Sequence, residues 1–554
     1  MKKVYRKIKK FFKSPSKFWE DSRFNIKAKY LKKNDKELLN LIENISNEQL
    51  KKILQYDKNL LNLIENTSNK QLKKFLQHDK NLLKPIQKFD ETYIISLLKK
   101  YNIPTLYIKP FEKNLKWAFC INKNQKKAFF INFLTILTKE NINLKYKYNK
   151  KIKVPKSVQE IWSDIFNLNT VDIRLSTEKA IDANRIWIRL EFWEDNEEFY
   201  KAPVKNDISV KLWKDTASKF NIFKKVIDYR TILNMPHEKE VNFKVDLVFT
   251  WVNSYDNEWK EMYLKYKPNT ESDNNNLSRF LTRDELKYSL RSWDKYGKFI
   301  DKIYIVSNCK PPKWLNLNNT KIKWVYHEEI INKKYLPTFS SHAIEANLHK
   351  IKGLNNHFIY CNDDVMLLKE AQINDFYFSN GIAKVRLEKY GMVNGEINSE
   401  HPDYLNAARN SQKLLENTFK KTATQLHTHS PQSMRIDILN KMETLYKNKF
   451  EETTSHKFRT INDISVASFL YPHFAIMSGN ALDSNEKVEF VHQNKNFKKI
   501  LNDLVKLKKD NKNELLPLSL CLNDGADSHL NETWNKEVVT FLENFFPEKS
   551  QFEK

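Results

Sequence analysis

FIYCNDDVML (358–367) is an apolar run that breaks at Asn362, Asp363 and Asp364 and then resumes. The apolar flanks describe a buried strand, and two adjacent carboxylates at its end are costly without compensation. A divalent cation, or a phosphate held through one, supplies that compensation. An acidic strand-to-loop turn is the competing reading, because Asn and Asp are common turn residues.

Working outward, the neighbouring segments repeat the strand theme. VDLVFTWVN (245–253) is a buried strand that runs into a polar loop carrying Asn253 and Asp256, and KIYIVSN (302–308) and KIKWVYH (321–327) are two further strands. Between them, Thr282-Arg283-Asp284-Glu285 reads as a capping box with Thr282 as N-cap and Glu285 at N3. That helix runs to Gly297, a natural stop. SHAIEANLHKIKG (341–353) reads as a second helix ending at Gly353. Strands alternating with helices predict an α/β fold: a mostly parallel, Rossmann-like sheet with helices on both faces. In such sheets ligands sit beyond the carboxyl ends of the strands, where Asn253, Asp256, Asn308 and the Asp363/Asp364 pair all fall.

The chain has 554 residues, enough for several domains and a sizeable core. Residues 1–33 hold thirteen Lys/Arg against two acids, with Phe11, Phe12, Phe18 and Trp19 interleaved. This pattern predicts a basic amphipathic segment on an anionic membrane face. Residues 34–89 read as a helical spacer, in which NLIENISNEQLKKILQYDKNLL (40–61) recurs as NLIENTSNKQLKKFLQHDKNLL from Asn62. Residues 90–240 read as a mixed α/β accessory domain without a catalytic constellation, and residues 241–554 as the catalytic domain.

Composition narrows the function classes. The formal charge of +27 suits an anionic partner, although a Lys-rich surface gives the same number. Basic residues are spread widely and no RNA-binding signature appears, so nucleic acid is not expected as a partner. Only seven glycines are present, and neither GxGxxG nor a Walker A loop occurs, which excludes a glycine-cradled dinucleotide or a P-loop nucleotide. The four cysteines, Cys120, Cys309, Cys361 and Cys521, lie far apart and read as buried thiols in a reducing compartment. No apolar stretch approaches the ~20 residues needed to span a bilayer, and no secretory h-region follows the basic start. The expectation is a cytoplasmic protein, peripheral on the inner face of the membrane.

Several residues have side chains suited to phosphate chemistry. Arg283, Lys287 and Arg291 recur at i, i+4, i+8 as a cationic stripe, beside Asp284 at a helix start. His342, Glu345 and His349 follow at i, i+3, i+7 and read as a polar, substrate-facing edge. HTHSPQSMR (427–435) offers His427 and His429, and histidine is the usual general base near neutral pH. His456 and Arg459 come next, and LCLND (520–524) ends a second apolar strand in Asn523 and Asp524.

In order, TWVN (with Trp251), RDELKYSLRSW, LPTFSSHAIEANLHKI, FIYCNDDVML, HTHSPQSMR, the HKFR and NDIS segments and LCLNDGADSH resemble the conserved regions of the Stealth family. These are hexose-1-phosphate transferases, among them bacterial capsule polymerases and the lysosomal enzyme that adds GlcNAc-1-phosphate to mannose. SPSKFWEDSRFN (14–25), SVQEIWSDIF (157–166) and FLENFFPE (541–548) extend the similarity, whereas the 22-residue repeat has no counterpart in it.

The resemblance implies a catalytic set of Asp363, Asp364, His427, Arg459 and Asp524. Asn253, Asp256, Arg283 and Arg291 match donor-site positions, and Trp251, Asp284, His342, Glu345, Asn362, His429 and Asn523 are carried as substrate-binding candidates. It also implies transfer of N-acetylhexosamine-1-phosphate, from UDP-ManNAc or UDP-GlcNAc, to a hydroxyl of a capsular oligosaccharide acceptor. UMP leaves and a phosphodiester forms. His427 takes the base role and Arg459 the β-phosphate, while Asp363, Asp364 and Asp524 hold Mg²⁺ (or Mn²⁺) or orient the acceptor. Peripheral contact with the capsule assembly and export machinery belongs to the same picture. The alternative is a metal-dependent glycosyltransferase that forms a glycosidic bond and releases UDP.

Overall fold

The computed structural model describes residues 91–109, 117–149, 151–155, 157–176, 187–206, 209–233, 235–268, 277–510, 512–524 and 528–554. The basic segment and the repeat spacer expected over 1–33 and 34–89 lie outside them. The chain divides between Met235 and Pro236 into two compact units.

The first unit is built on a nine-stranded mixed sheet: β1 (Thr105–Ile108), β2 (Ala118–Asn122), β3 (Asn143–Tyr148), β4 (Lys151–Lys153), β5 (Thr170–Ser176), β6 (Ile188–Asp195), β7 (Phe199–Lys201), β8 (Lys211–Trp213) and β9 (Val226–Asp228). Its order is β4-β3-β5-β6-β2-β1-β9, with β7 and β8 continuing from β6. Strand β5, TVDIRLS, alternates buried and half-buried residues, as a strand covered on one face should. The covering layer is α1 (Glu91–Lys100), α2 (Lys126–Lys139) and α3 (Val158–Ile165). From α2, Phe129, Phe130 and Phe133 pack onto Phe119 and Phe192. A second cluster joins β1, β2 and Trp193 to β8 and Ala217 of α4 (Lys214–Lys219).

The second unit carries the parallel sheet. Strands β10 (Val245–Thr250), β11 (Ile300–Val306), β12 (Ile322–Val325) and β13 (His357–Asn362) lie in the order β12-β11-β10-β13 and run parallel. Their register sets Thr250 level with Val306 on one side and Asn362 on the other, so three loops leave one edge together. Successive residues of β10 and β13 are buried regardless of parity, which requires cover on both faces. That cover includes α5 (Asn257–Tyr266), α6 (Glu285–Tyr296) and residues of later helices. Asp246 is buried inside β10 because its carboxylate accepts the Lys302 and Asn355 backbone N–H groups at 3.0 and 2.7 Å.

Two helix expectations change. At α6, Thr282 and Glu285 do not form the expected capping box. The helix begins at Glu285 with Asp284 as N-cap at φ 65°, and the Glu285 carboxylate reaches back to the Arg283 N–H at 2.6 Å and the Thr282 hydroxyl at 3.1 Å. Gly297 ends this helix at φ −111°; glycine is needed because a Cβ would stand 2.4 Å from the Trp293 ring. The helix expected over 341–353 is one short turn, α7 (Ser341–Glu345), followed by a separate 3₁₀ turn over Leu348–Lys350.

Beyond Asp364 the chain leaves the large sheet. Strand β14 (Val365–Leu367) pairs instead in a small sheet, and β15 (Ala383–Val385) precedes α8 (Asp403–Phe419). Strand β16 (Gln432–Arg435) closes the large sheet antiparallel to β13, followed by α9 (Ile436–Leu445), α10 (Lys447–Ser455) and α11 (Tyr471–Met477). Strand β17 (Ala481–Asp483) pairs with β15. Then β18 (Glu489–Val491) and β19 (Ser519–Leu522) complete the small sheet in the order β14-β19-β18. Helices α12 (Phe497–Lys509) and α13 (Glu532–Phe545) pack on it through Leu501, Leu504, Trp534 and Val538.

Candidate active site

Asp363 and Asp364 form the turn from β13, in the large sheet, to β14, in the small one. The Leu522 N–H donates to the Asp364 carbonyl at 3.1 Å, which brings the end of β19, with Asn523 and Asp524, beside the turn. Cys521 Sγ lies 3.3 Å from Asp364 Oδ2, while Asp364 Oδ1 is buried without a hydrogen-bond partner. Burial pushes the Asp364 carboxyl up to about 7, aided by the charges of Glu285 and Asp524. Asp363 is also held well above the usual carboxylate range, by burial first and then by the Asp364 charge.

One guanidinium faces these carboxylates. Arg283 grips both oxygens of Asp524 at 2.8 and 2.9 Å, adds Glu285 Oε1 at 2.8 Å and turns its Nε to Asn535 Oδ1 at 2.8 Å. Trp534 Nε1 donates to Asp524 Oδ1 at 3.0 Å. Asp524 is therefore a fixed partner of Arg283, a bidentate arrangement whose planar fork matches the carboxylate. The metal role expected of Asp524 would have to be met beside this ion pair, with Oδ2 accepting one hydrogen bond and Oδ1 two. Among the described residues no cluster of three or more His, Cys, Asp or Glu forms a ready metal site. The orphaned Oδ1 of Asp364 and the partly exposed Asp363 are the atoms that fit a divalent cation.

Arg459 approaches from a different segment. Its Nη2 donates to the Ser341 hydroxyl at the start of α7, and among the described residues Nε and Nη1 have no hydrogen-bond partner. The loop carrying it is anchored by Asp463, which is fully buried. Asp463 lies 2.6 Å from His456 Nδ1 and 3.1 Å from His342 Nδ1, and accepts the Thr460 N–H at 3.1 Å and hydroxyl at 3.0 Å. Burial alone would raise this carboxyl, but the histidine and Thr460 hydrogen bonds outweigh it and hold Asp463 below the usual range. Burial, with Arg459 nearby, lowers His342 to about 4, so its ring is neutral at pH 7. Burial raises Glu345 to about 7 against the opposing charge of Arg459. The Tyr360 hydroxyl lies 3.2 Å from Glu345 Oε1 and 2.9 Å from Asn362 Oδ1, so a polar path leads from the arginine to the Asp363 turn.

The two histidines of HTHSPQSMR separate sharply. His427 is 4% exposed; its Nδ1 lies 2.7 Å from the Thr428 carbonyl, and its Nε2 accepts the Arg386 N–H at 3.3 Å. Burial pushes its pKa down to about 3. Both ring nitrogens of His427 thus face main-chain groups in this arrangement, whereas the base role expected of it needs a nitrogen open to the acceptor hydroxyl. His429, two residues on, is exposed, and one side of its ring leans on Phe490 at 4.7 Å between centroids. Desolvation on that side lowers its pKa from 6.5. Phe490 is the register partner of Cys521, whose thiol touches Asp364, so His429 stands on the acidic side of the site.

Other candidates serve the frame. Arg291 pairs fork-to-fork with Glu553 at 2.8 and 2.7 Å and gives Nη1 to the Phe546 carbonyl, so every donor nitrogen is occupied away from the carboxylates, a correction to its donor-site reading. Asp256 caps α5 by accepting the Glu258 and Trp259 N–H groups, and takes the Lys310 N–H at 2.6 Å, tying the loops after β10 and β11 together. Asn253 Oδ1 accepts the Tyr255 N–H at 3.0 Å within the same loop. Asp284 accepts from Trp314 Nε1 at 3.1 Å and pairs with Lys287. Trp251 is 5% exposed and packs edge-on against Trp324, a core position. His349 faces Glu443 at 2.8 Å and shares no site with His342. Sequence reasoning missed Asp463, Tyr360 and Phe490; Tyr360 and Asp463 lay inside segments already singled out, FIYCNDDVML and NDIS, and Phe490 lay in none.

Two family models match the chain: Stealth protein CR2, conserved region 2, over residues 279–385, and Stealth protein CR3, conserved region 3, over residues 428–477. The chain is also 49% identical over 557 residues to capsular polysaccharide phosphotransferase SacB of Neisseria meningitidis serogroup A, covering 99% of both chains. The chain belongs to the Stealth family. Another relative, capsular polysaccharide phosphotransferase LcbA of Aeromonas hydrophila, is 34% identical over 322 residues, covering 57% of this chain and 88% of its own. Among solved structures, galactosyltransferase LgtC in complex with donor and acceptor sugar analogues gives a TM-score of 0.27 at 8% identity, over 54% of this chain and 95% of that one, too remote to bear on the site. The CR2 match of this Stealth chain contains Arg283, α7 and the Asp363/Asp364 turn. The CR3 match contains His429 and Arg459 and begins one residue after His427.

Proposed function

We propose that this protein is a capsular polysaccharide phosphotransferase that moves N-acetylhexosamine-1-phosphate from a UDP-sugar to a hydroxyl of a growing capsular chain. The observation that carries this reading is the full-length identity to a named capsular polysaccharide phosphotransferase. The geometry supports it: an exposed histidine, an arginine with open donors and a pair of carboxylates border the carboxyl edge of a parallel sheet.

In the proposed reaction the acceptor hydroxyl oxygen attacks the β-phosphorus of the donor. The bond from that phosphorus to the bridging oxygen breaks, and UMP leaves with the oxygen. A ring nitrogen of His429 takes the acceptor proton, a role for which a neutral, reachable imidazole is suited near pH 7. The open edge of Arg459 binds β-phosphate oxygens as charge shifts toward UMP. Asp363 and Asp364 would hold Mg²⁺ or Mn²⁺, which supplies positive charge to the diphosphate when bound. Arg283 holds Asp524 beside them and fixes that wall of the site.

Phosphorus NMR of the product, with parallel nucleotide analysis, tests the reading. UDP-ManNAc and UDP-GlcNAc are each supplied with an acceptor oligosaccharide, with an epimerase control. UMP and a phosphodiester resonance are expected, whereas UDP and a glycosidic product would establish the glycosyltransferase alternative. Among the described residues no helix is long and apolar enough to cross a membrane. We place the enzyme at the cytoplasmic face of the inner membrane, held there through the basic segment over 1–33 and beside the capsule export machinery.

A further inference from the structure

We propose that Phe490, with His492 beside it, is the platform on which the acceptor's sugar ring stacks while its hydroxyl meets His429. The inference rests on the phosphotransferase reading of the site. Phe490 lies on β18, the edge strand of the small sheet, and remains 39% exposed although large apolar side chains are usually covered. Its ring contacts two imidazoles, His429 at 4.7 Å and His492 at 5.7 Å, and His492 is itself exposed. The three rings form an open aromatic row at the rim of an acidic site.

Its place is fixed by register. Phe490 is level with Cys521, and Cys521 Sγ is 3.3 Å from Asp364 Oδ2, so the row stands one strand away from the carboxylate turn. The ends of β10 and β11 lie on the large sheet, on the other side of that turn. A general base must come within hydrogen-bond reach of the hydroxyl it deprotonates, so the surface continuous with the base carries the acceptor. The aromatic face is electron-rich, and the C–H face of a pyranose presents the complementary positive edge. The donor's uridine and diphosphate need Arg459 and the carboxylates, which this row does not supply.

Steady-state kinetics of Phe490→Ala and Phe490→Trp, varying acceptor oligosaccharide and UDP-sugar in turn, test the proposal. Phe490→Ala should raise acceptor KM about tenfold, the scale of one lost ring-stacking contact. Phe490→Trp should restore it, with donor KM unmoved and the pH–rate inflection in place. An unchanged acceptor KM in Phe490→Ala would overturn the proposal. So would a shifted pH–rate inflection with acceptor KM constant, which would make Phe490 a support for His429 alone. If the wild-type enzyme released UDP, the phosphotransferase reading would fail, yet the acceptor KM comparison would still decide the role of Phe490.

Discussion

His427→Ala and His429→Ala should fail in opposite ways, although two residues separate them. His429 makes no protein hydrogen bond among the described residues and its ring is exposed, so its loss should leave the melting temperature close to wild type. Its removal should lower turnover at least ~100-fold, the low end for general base catalysis. His427 is buried between the Arg386 N–H and the Thr428 carbonyl; alanine leaves the Arg386 N–H unpaired, while the carbonyl keeps the Ser430 N–H at 2.8 Å. An unsatisfied buried polar group costs roughly 1–3 kcal/mol, so the orphaned N–H amounts to about 1–3 kcal/mol of stability. Near the transition each kcal/mol is worth about 2–4 °C in a domain of 150–250 residues, so a fall of several degrees is expected. Initial rates of UMP release and calorimetric melts on both variants provide the comparison. At temperatures where both are folded, His427→Ala should retain far more turnover. Near-wild-type turnover in His429→Ala, with His427→Ala inactive yet fully stable, would refute the assignment. The pH profile adds a sign: His429 works as a base only when neutral, and its pKa lies below 6.5, so the rate should rise with pH and level off by neutrality.

Asp364→Asn should abolish turnover yet raise the melting temperature relative to wild type, with a gap that grows between about pH 4 and pH 8. The Asp364 pKa is about 7 in the fold against 3.8 in the open chain, so folding favours the protonated form and its contribution is lost as pH rises through about 7. Mg²⁺ should raise the wild-type melting temperature at pH 8 and do nothing for Asp364→Asn; an equal response in both would remove the metal from this carboxylate. Arg291→Ala should lower the melting temperature through loss of its Glu553 and Phe546 contacts while sparing donor KM, and a raised donor KM would return Arg291 to the nucleotide site. Deleting residues 1–33 should reduce pelleting with anionic liposomes and leave turnover on soluble acceptor intact; undiminished pelleting would discard the anchor.

The parallel sheet was legible because β10, β11 and β13 are mostly apolar runs followed by polar residues, a pattern that burial on both faces favours. The placement of the Asp363/Asp364 turn beside Asn523 and Asp524 followed from that pattern with the help of the family motifs. What the sequence withheld was partnership. The spacing of Arg283 and Arg291 reads as one helical stripe, but Arg283 falls ahead of α6; Asp524 claims it and Glu553 claims Arg291, and neither carboxylate is near them in sequence. His427 and His429 are chemically equivalent in the chain; main-chain groups at Arg386 and Ser468 bury the first. Phe490 belonged to no motif, and only the ladder with β19 carries it to the site.

The Arg283–Asp524 pair spans 241 residues of chain. At a synthesis rate of about 5–20 residues per second, Arg283 waits roughly ten to fifty seconds on the ribosome before its carboxylate exists. Through that interval α6 cannot take its final position against β19, and the wall beside Asp363 and Asp364 is absent. A nascent chain would therefore be inactive until its last strand is made. Polymer synthesis would begin only with the released, closed domain, and the order of translation would protect the donor pool from partly built enzyme.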